Sequence, residues 1–425
     1  MKISKHFTTS PLTAGLSIAL LGSVWLYGAW SGLDFRFLTT VAGLLFFYFL
    51  LASDHKVWFW SGVFTGMLWF GWIAVSFVYY HMIWAIPFVL IGVGLIYGGI
   101  FWLIAKGALS VERLALRYFP FFGALASAPY KALGLLGVSY LHPLTFDWFK
   151  PELVFVHSYL GVGKWQLAIV LAAIVLAQWR RNLLYLGLIV LAYSPVHTRL
   201  FLDDPTHTIR LVATNTTIAD KWNPDKSPEH IREALDVIDQ AILEHKKIII
   251  LPESVFPFFL NRHPDLVGEL IRRSRKISII IGALYYDEGV HRNATYLFQN
   301  GRYAVANKVL LVPFGEANPL PAWAGKWVNK VFFDGSVDYI ASADPTDWEI
   351  NGTTYRNAIC YEATSERLYE GHPNNMIVIS NNGWFVPSVE PIFQRLLLEY
   401  YVRKYGTTIY HATNMSPSYI IKATP

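Results

Sequence analysis

Hydrophobicity along this chain is distributed in a way that rules out a single water-soluble globule. Apolar runs occupy roughly 13–31, 37–52, 57–80, 84–105, 118–140, 163–179 and 183–196, and all of them fall in the first half. Only 17 of the 65 charged residues lie in 1–198, leaving 48 for 199–425. A spanning helix needs about 20 apolar residues, so residues 1–197 read as a membrane domain of about seven spans. Residues 198–425 carry charge like an ordinary soluble domain and have the length of one.

The basic residues of the first half sort by loop. One set of loops carries Lys2, Lys5, Lys56, Lys106, Arg113, Arg117, Arg180 and Arg181, and the other only Arg36, Lys150 and Lys164. The positive-inside rule makes the first set cytoplasmic and sends the second half to the outer face. The net charge of +5 does not point to nucleic acid, because these basic residues separate apolar runs rather than forming a patch. The first run follows Lys2 and Lys5 as a signal peptide would, but it lacks a small-residue cleavage site and more runs follow, so it reads as a retained helix. Lys131, inside an apolar run, is either a functional group or a side chain snorkelling to the interface; the second is the expectation. Trp148 and Phe149, in the segment HPLTFDWF at 142–149, are expected to anchor at the interface, with contact to a lipid substrate as the alternative.

The second half alternates strands and helices early and shows hairpins later, which indicates an α/β layer fold with a mixed sheet. Strands are expected at 208–213, 248–252, 277–286 and in TTIYHAT, with helices starting at Ser227-Pro228 and spanning about 265–276 and 391–405. Asn300-Gly301 and Asn351-Gly352 are hairpin signals. Four segments share one design, an apolar strand that runs into polar residues: IIILPES with Glu253, NKVLLVPFGE with Lys308 and Glu316, NAICYE with Cys360, and IVISNNGWF with Asn381 and Asn382. Strand ends are where side chains converge in such sheets. A thiol, an amine and carboxylates gathered there make a covalent catalyst: nucleophile, oxyanion stabiliser and proton carrier. Singly, each has an ordinary reading: a small buried cysteine, a helix-capping glutamate, a solvated lysine, a turn. Cys360 is the only cysteine, so neither an internal disulfide nor a multi-cysteine metal site is available.

The set of motifs and their order are more specific. PES at 252–254, NK at 307–308 and CYE at 360–362 resemble the glutamate, lysine and cysteine motifs of the carbon–nitrogen hydrolase (nitrilase) superfamily over 206–415. Together with the membrane half, KW at 221–222, the PFGE stretch, NNGWF and HATN at 411–414, the whole chain resembles a short branch of the apolipoprotein N-acyltransferase family. The resemblance implies an α-β-β-α sandwich on a bundle of membrane helices in a bacterial inner membrane, with the catalytic domain on the periplasmic side and no cofactor or metal. It implies Glu253 as general base, Lys308 as oxyanion stabiliser and Cys360 as nucleophile, supported by Glu316, Glu362 and Tyr361. Trp222, Asn381 and Phe385 are weaker candidates for substrate contact. The implied partners are a phospholipid acyl donor and a diacylated apolipoprotein acceptor. A membrane-tethered amidase of the same superfamily and a non-catalytic membrane scaffold, such as a conjugal-transfer protein, are the rival readings. Members of the family return to the membrane through a last helix, whereas no apolar run follows Tyr419–Ile421 here, so shortened or missing final strands are expected. The stretch 317–347, with Trp323, Trp327, Phe332 and Phe333, reads equally as an aromatic arm or as a packed insertion.

Overall fold

The computed structural model describes residues 10–33, 35–118, 126–321, 323, 325 and 338–424. Two compact units emerge. The first comprises Met1–Pro143, Asp147–His197 and Pro387–Leu396; the second comprises Leu144–Phe146, Thr198–Val386 and Leu397–Pro425.

The first unit is helical. Among the described residues, three helices are long and apolar enough to cross a membrane: Pro11–Trp30, His55–Tyr79 and Ile83–Tyr118; Arg36–Ala52 and Leu183–Ala192 are shorter apolar helices. Ile83–Tyr118 has 36 residues, well beyond the ~20 that a bilayer needs. The run expected to end at 105 therefore continues as helix through Lys106, Glu112, Arg113 and Arg117. The run at 118–140 is not one spanning helix among the described residues; it contains an 11-residue helix, Ser127–Gly137, whose Pro129 is tolerated in the first turn. Helices His55–Phe70 and Ile86–Tyr118 approach closely because glycines face the contact. A Cβ on Gly62 would stand 2.5 Å from the Tyr97 carbonyl oxygen, the kind of small-residue seam that lets membrane helices pack backbone to backbone.

Two expectations for this unit are corrected. Lys131 does not reach for the interface; it is 8 % exposed, and its Nζ donates to the carbonyls of Leu51 at 3.3 Å and Ser53 at 2.6 Å. It caps the end of helix Arg36–Ala52, where unsatisfied carbonyls attract a cation. Trp148 and Phe149 are not anchors either. Both are buried, with Trp148 against Trp72 at 5.1 Å and Phe149 against Tyr97 at 4.9 Å.

The second unit has two six-stranded sheets. The first contains β2 (Ile209–Leu211), β3 (Ile248–Ile250), β4 (Phe256–Phe259), β5 (Ser278–Asp287), β6 (Val290–Gln299) and β7 (Arg302–Asn307), in the order β2-β3-β5-β6-β7 with β4 beside β5. The second contains β1 (His197–Phe201), β8 (Asp347–Ile350), β9 (Thr353–Ile359), β10 (Asn375–Asn381), β11 (Thr408–Asn414) and β12 (Tyr419–Thr424), in the order β1-β12-β11-β10-β9-β8. Asn300-Gly301 and Asn351-Gly352 each have positive φ at both residues, the two-residue turn that suits the twist of a hairpin, and they join β6 to β7 and β8 to β9. The expected loss of final strands is overturned. β12 is formed and pairs antiparallel with β11, Ile409 opposite Ile421.

The sheets face each other across one apolar layer in which Ile248, Ile250 and Ile280 meet Ile359, Ile377 and Ile379. Alternation along β3 and β5 turns Ile249, Ile279 and Ile281 outward, where Ile238 of helix Ser227–Leu243 and Leu270 of helix Pro264–Arg273 cover them. On the other outer side Ala358, Met376 and Val378 are fully buried. Helix Glu390–Tyr405 stacks Tyr401 on Tyr369 there at 4.4 Å. The layers are α-β-β-α.

Candidate active site

β3 runs parallel to β2 and β5, and β10 runs parallel to β9 and β11; the carboxyl ends of such strands are where a sheet exposes side chains to a common space. Glu253 follows β3, Cys360 follows β9, and Asn381 and Asn414 end β10 and β11. Lys308 follows β7, its amide donating to the Asn293 carbonyl of β6 at 2.9 Å.

Lys308 is 1 % exposed and lies 2.8 Å from Glu316 Oε2 and 3.8 Å from Glu253 Oε1. Asn293 Nδ2 donates to both carboxylates, at 2.8 Å to Glu253 and 2.7 Å to Glu316. The second oxygen of Glu253 accepts from the Asn381 amide at 2.9 Å, and that of Glu316 from the Val312 amide at 2.8 Å. Every carboxylate oxygen here has a donor, which a buried anion requires. Burial raises the proton affinity of Glu253 above the usual carboxylate range; Lys308 opposes that rise, Glu316 adds to it, and Asn293 and Lys221 oppose it. Burial alone would drive Lys308 down, but Glu316 and Glu253, with the field of Cys360, hold it above its ordinary value, so it is an ammonium. Such a cation beside the thiol favours its ionised form.

The backbone around Glu253 is confined. Gly282 of β5 passes so close that a Cβ there would lie 2.6 Å from Glu253 Cα, and the Gly282 amide donates to the Pro252 carbonyl at 3.2 Å. Ser254 has φ +50. Cys360 likewise sits at φ +53, at the junction of β9 and a short 3-10 turn. A non-glycine residue in that region carries a strain of order 1–3 kcal/mol, the kind stored at functional sites. Glu362, 1 % exposed, fixes this turn. One oxygen accepts from the Ile359 amide at 2.7 Å; the other accepts from Val309 at 2.7 Å and Leu310 at 3.2 Å. The residues flanking Cys360 and Lys308 are thus tied through one side chain. Burial pushes Glu362 up to about 7, against the pull of Lys308 and the three amides.

The structure therefore brings Glu253, Lys308 and Glu316 into one network and links Cys360 to it through Glu362. Tyr361 is buried, with its hydroxyl donating to the Thr145 carbonyl at 3.3 Å and its ring parallel to Phe146 at 6.0 Å. Asn381 acts through its backbone on Glu253, and its side chain accepts from Asn414 at 2.8 Å. Trp222 is 40 % exposed. Phe385 closes the turn after Asn382, its amide donating to that carbonyl at 3.0 Å. Trp323 is 80 % exposed, whereas Trp327, Phe332 and Phe333 lie outside the described residues. Asn293, Lys221 and Asn414 were not singled out from sequence. Asn293 opens the buried half of β6, and the HATN stretch contained Asn414.

The fold defines the class: an integral membrane protein that carries an α-β-β-α unit. The sequence profile of the apolipoprotein N-acyltransferase integral membrane domain matches residues 9–196. The apolipoprotein N-acyltransferase of Wolinella succinogenes is 40 % identical over 420 residues, covering 97 % of this chain and 96 % of that protein. That of Helicobacter pylori is 33 % identical over 393 residues, covering 90 % and 87 %. Among solved structures, XC1258 from Xanthomonas campestris, a CN-hydrolase superfamily protein, aligns with a TM-score of 0.35 at 15 % identity, covering 48 % of this chain and 75 % of that one. The chain belongs to the apolipoprotein N-acyltransferase family.

Proposed function

We propose that this chain transfers a fatty acyl group from a phospholipid, through a thioester on Cys360, to the α-amino group of a diacylglyceryl-modified cysteine of an apolipoprotein. Family membership supports the reaction class. The single structural observation that carries the residue roles is the delivery of Glu253, Lys308 and the Cys360 turn to the same strand ends.

In the first half-reaction the Glu253 carboxylate takes the Cys360 proton, and the thiolate attacks the ester carbonyl carbon of the phospholipid. Lys308 stabilises the resulting oxyanion. Collapse breaks the ester C–O bond; Glu253 returns its proton to the departing alkoxide, and lysophospholipid leaves. In the second half-reaction the amine attacks the thioester and gives a proton to Glu253. The C–S bond then breaks, and that proton restores the thiol. A carboxylate whose proton affinity is raised by burial is suited to carry a proton in both directions. Glu316 holds Lys308, and Glu362 holds the thiol turn.

The bias of basic residues supports an orientation with the second unit on the periplasmic face of the bacterial inner membrane. Membrane-anchored substrates then react without a chain being drawn into water, which costs about 0.8 kcal/mol per methylene.

The test is intact-protein mass spectrometry of detergent-purified protein incubated with phospholipid and no acceptor. One fatty-acyl adduct, released by hydroxylamine, absent from Cys360→Ser and transferred to a diacylated lipopeptide, is expected. A folded protein that forms no adduct with any phospholipid, or loses it to water rather than to the lipopeptide, sinks the proposal in favour of an amidase or a scaffold.

A further inference from the structure

Lys308 is not the only buried cation at these strand ends. Lys221 is 3 % exposed, and its Nζ donates to the main-chain carbonyl of Glu253 at 3.1 Å. It ends the short helix Ile218–Lys221, which Thr217 caps by accepting from the Asp220 amide at 3.2 Å. The segment ahead of that helix is held by Asn414, which accepts from Thr216 N at 3.0 Å and donates to Thr216 O at 2.8 Å. The same Asn414 amide group reaches Asn381, whose own amide binds the Glu253 carboxylate. The second cation and the carboxylate of Glu253 are thus set from one side chain.

Charge balance gives this arrangement a purpose. The charged groups whose fields act on Glu253 are Lys308, Glu316 and Lys221, and Lys308 interacts in turn with Glu316, Cys360 and Glu362. With Lys308 alone, Glu253 and Glu316 would share a single cation in a poorly solvated space, and such a deficit is relieved by keeping a proton on one of them. A protonated Glu253 accepts nothing from the thiol.

We propose that Lys221 is a positioning residue for Glu253, holding the Pro252–Ser254 turn by its carbonyl and supplying the second positive charge that keeps the carboxylate ionised and ready to take the Cys360 proton. The inference rests on Glu253 being the base of the proposed reaction. Burial lowers Lys221 itself to about 8, with Glu253 pulling the other way. Its charge is therefore present at neutral pH and is lost as pH rises through that value.

The test uses the full-length protein in detergent and follows alkylation of Cys360 by iodoacetamide against pH, read by mass spectrometry at the chain's single thiol. In Lys221→Gln and Lys221→Met the midpoint of the profile is expected to rise by about one unit, the size of effect that one charge at close range produces. Below the midpoint the rate then falls about tenfold. The deficit should close above the pH at which Lys221 loses its own charge, and Lys221→Arg should keep the wild-type midpoint. A slower but parallel profile in the neutral variants, with the midpoint unmoved, overturns the proposal, as does an Arg variant that shifts as far as Gln. Loss of the cooperative unfolding transition in both neutral variants also overturns it, by assigning Lys221 to folding alone. Alkylation needs no lipid, so a wild-type chain that alkylates but never acylates would defeat the proposed transfer and leave this test standing.

Discussion

Each unit of this protein buries a lysine, and the two differ in what they touch. Lys131 in the helical unit donates to main-chain carbonyls, at 2.6 and 3.3 Å, at the end of a helix, with its Nζ 5.9 Å from the centre of the Trp58 ring. Lys308 in the sheet unit lies between two carboxylates that are themselves held by Asn293. Lys131 was notable in the sequence for lying inside an apolar run and Lys308 for its place in the NK motif, yet both are buried, and burial alone does not separate structure from chemistry. A lysine on carbonyls completes a helix. A lysine on ionised side chains sits in a field that reaches beyond its own contacts, and here that field reaches a thiol.

This contrast can be broken by experiment. Cys360→Ala should remove the acyl adduct entirely, because no other thiol exists; mass spectrometry of the incubated protein decides it. Lys308→Met should slow adduct formation by ~10²–10³, the scale of losing one oxyanion-stabilising group. It should also cost about 3–5 kcal/mol of stability, because it leaves buried carboxylates without their cation. An enzyme that acylates normally without Lys308 would erase the distinction between the two lysines.

A buried histidine sharpens the comparison. His411 is fully buried on β11 with Nε2 2.7 Å from Ser380 Oγ, and burial lowers it to about 3 from the usual 6.5. The unfolded chain therefore binds a proton below pH 6.5 that the folded chain refuses. Stability should fall as pH drops from 6.5 toward 3, by about 1.4 kcal/mol per unit, and His411→Gln should flatten that slope. Thermal unfolding between pH 7 and 5 measures it; equal slopes in the two chains would show that His411 contributes nothing. The smallest effect belongs to Lys131→Met. It should lower stability by about 1.5–3 kcal/mol, as charged hydrogen bonds are lost, while the alkylation midpoint of Cys360 stays where it was. A moved midpoint would make Lys131 part of the chemistry after all.

Glu253 and Cys360 were legible because each ends an apolar run, and a strand that turns polar at its last residue announces where it leaves the sheet. Lys308 instead precedes its apolar stretch, and the strand expected in Val309–Val312 is not formed, since β7 ends at Asn307. The two Asn-Gly hairpins were legible because their backbone chemistry is local. Lys221 was not, since nothing in KW tells which of the two residues turns inward; the exposed Trp222 drew the notice and the buried lysine made the contact. Asn293 gains its role only when β6 lies against β7 and brings Lys308 alongside. Trp148 and Phe149 illustrate the same limit in the helical unit. An aromatic pair in a connecting segment reads alike whether it meets lipid or Trp72 and Tyr97, residues tens of positions away. The helix that continues to Tyr118 was cut short at 105 because charges begin there, although Lys106, Glu112, Arg113 and Arg117 are compatible with helix once it has left the hydrocarbon.

The close passage of Gly282 beneath Glu253 bears on how this protein can be altered. A methyl group there would lie 2.6 Å from both Glu253 Cα and Ser254 N, and backbone on both sides leaves neither strand free to yield. Even alanine would displace the carboxylate from Lys308, although its methyl would meet only main-chain atoms of Pro252, Glu253 and Ser254. In a random-mutagenesis screen, position 282 should therefore behave as a silent partner of the site. It should admit no substitution, although the residue itself offers the reaction nothing.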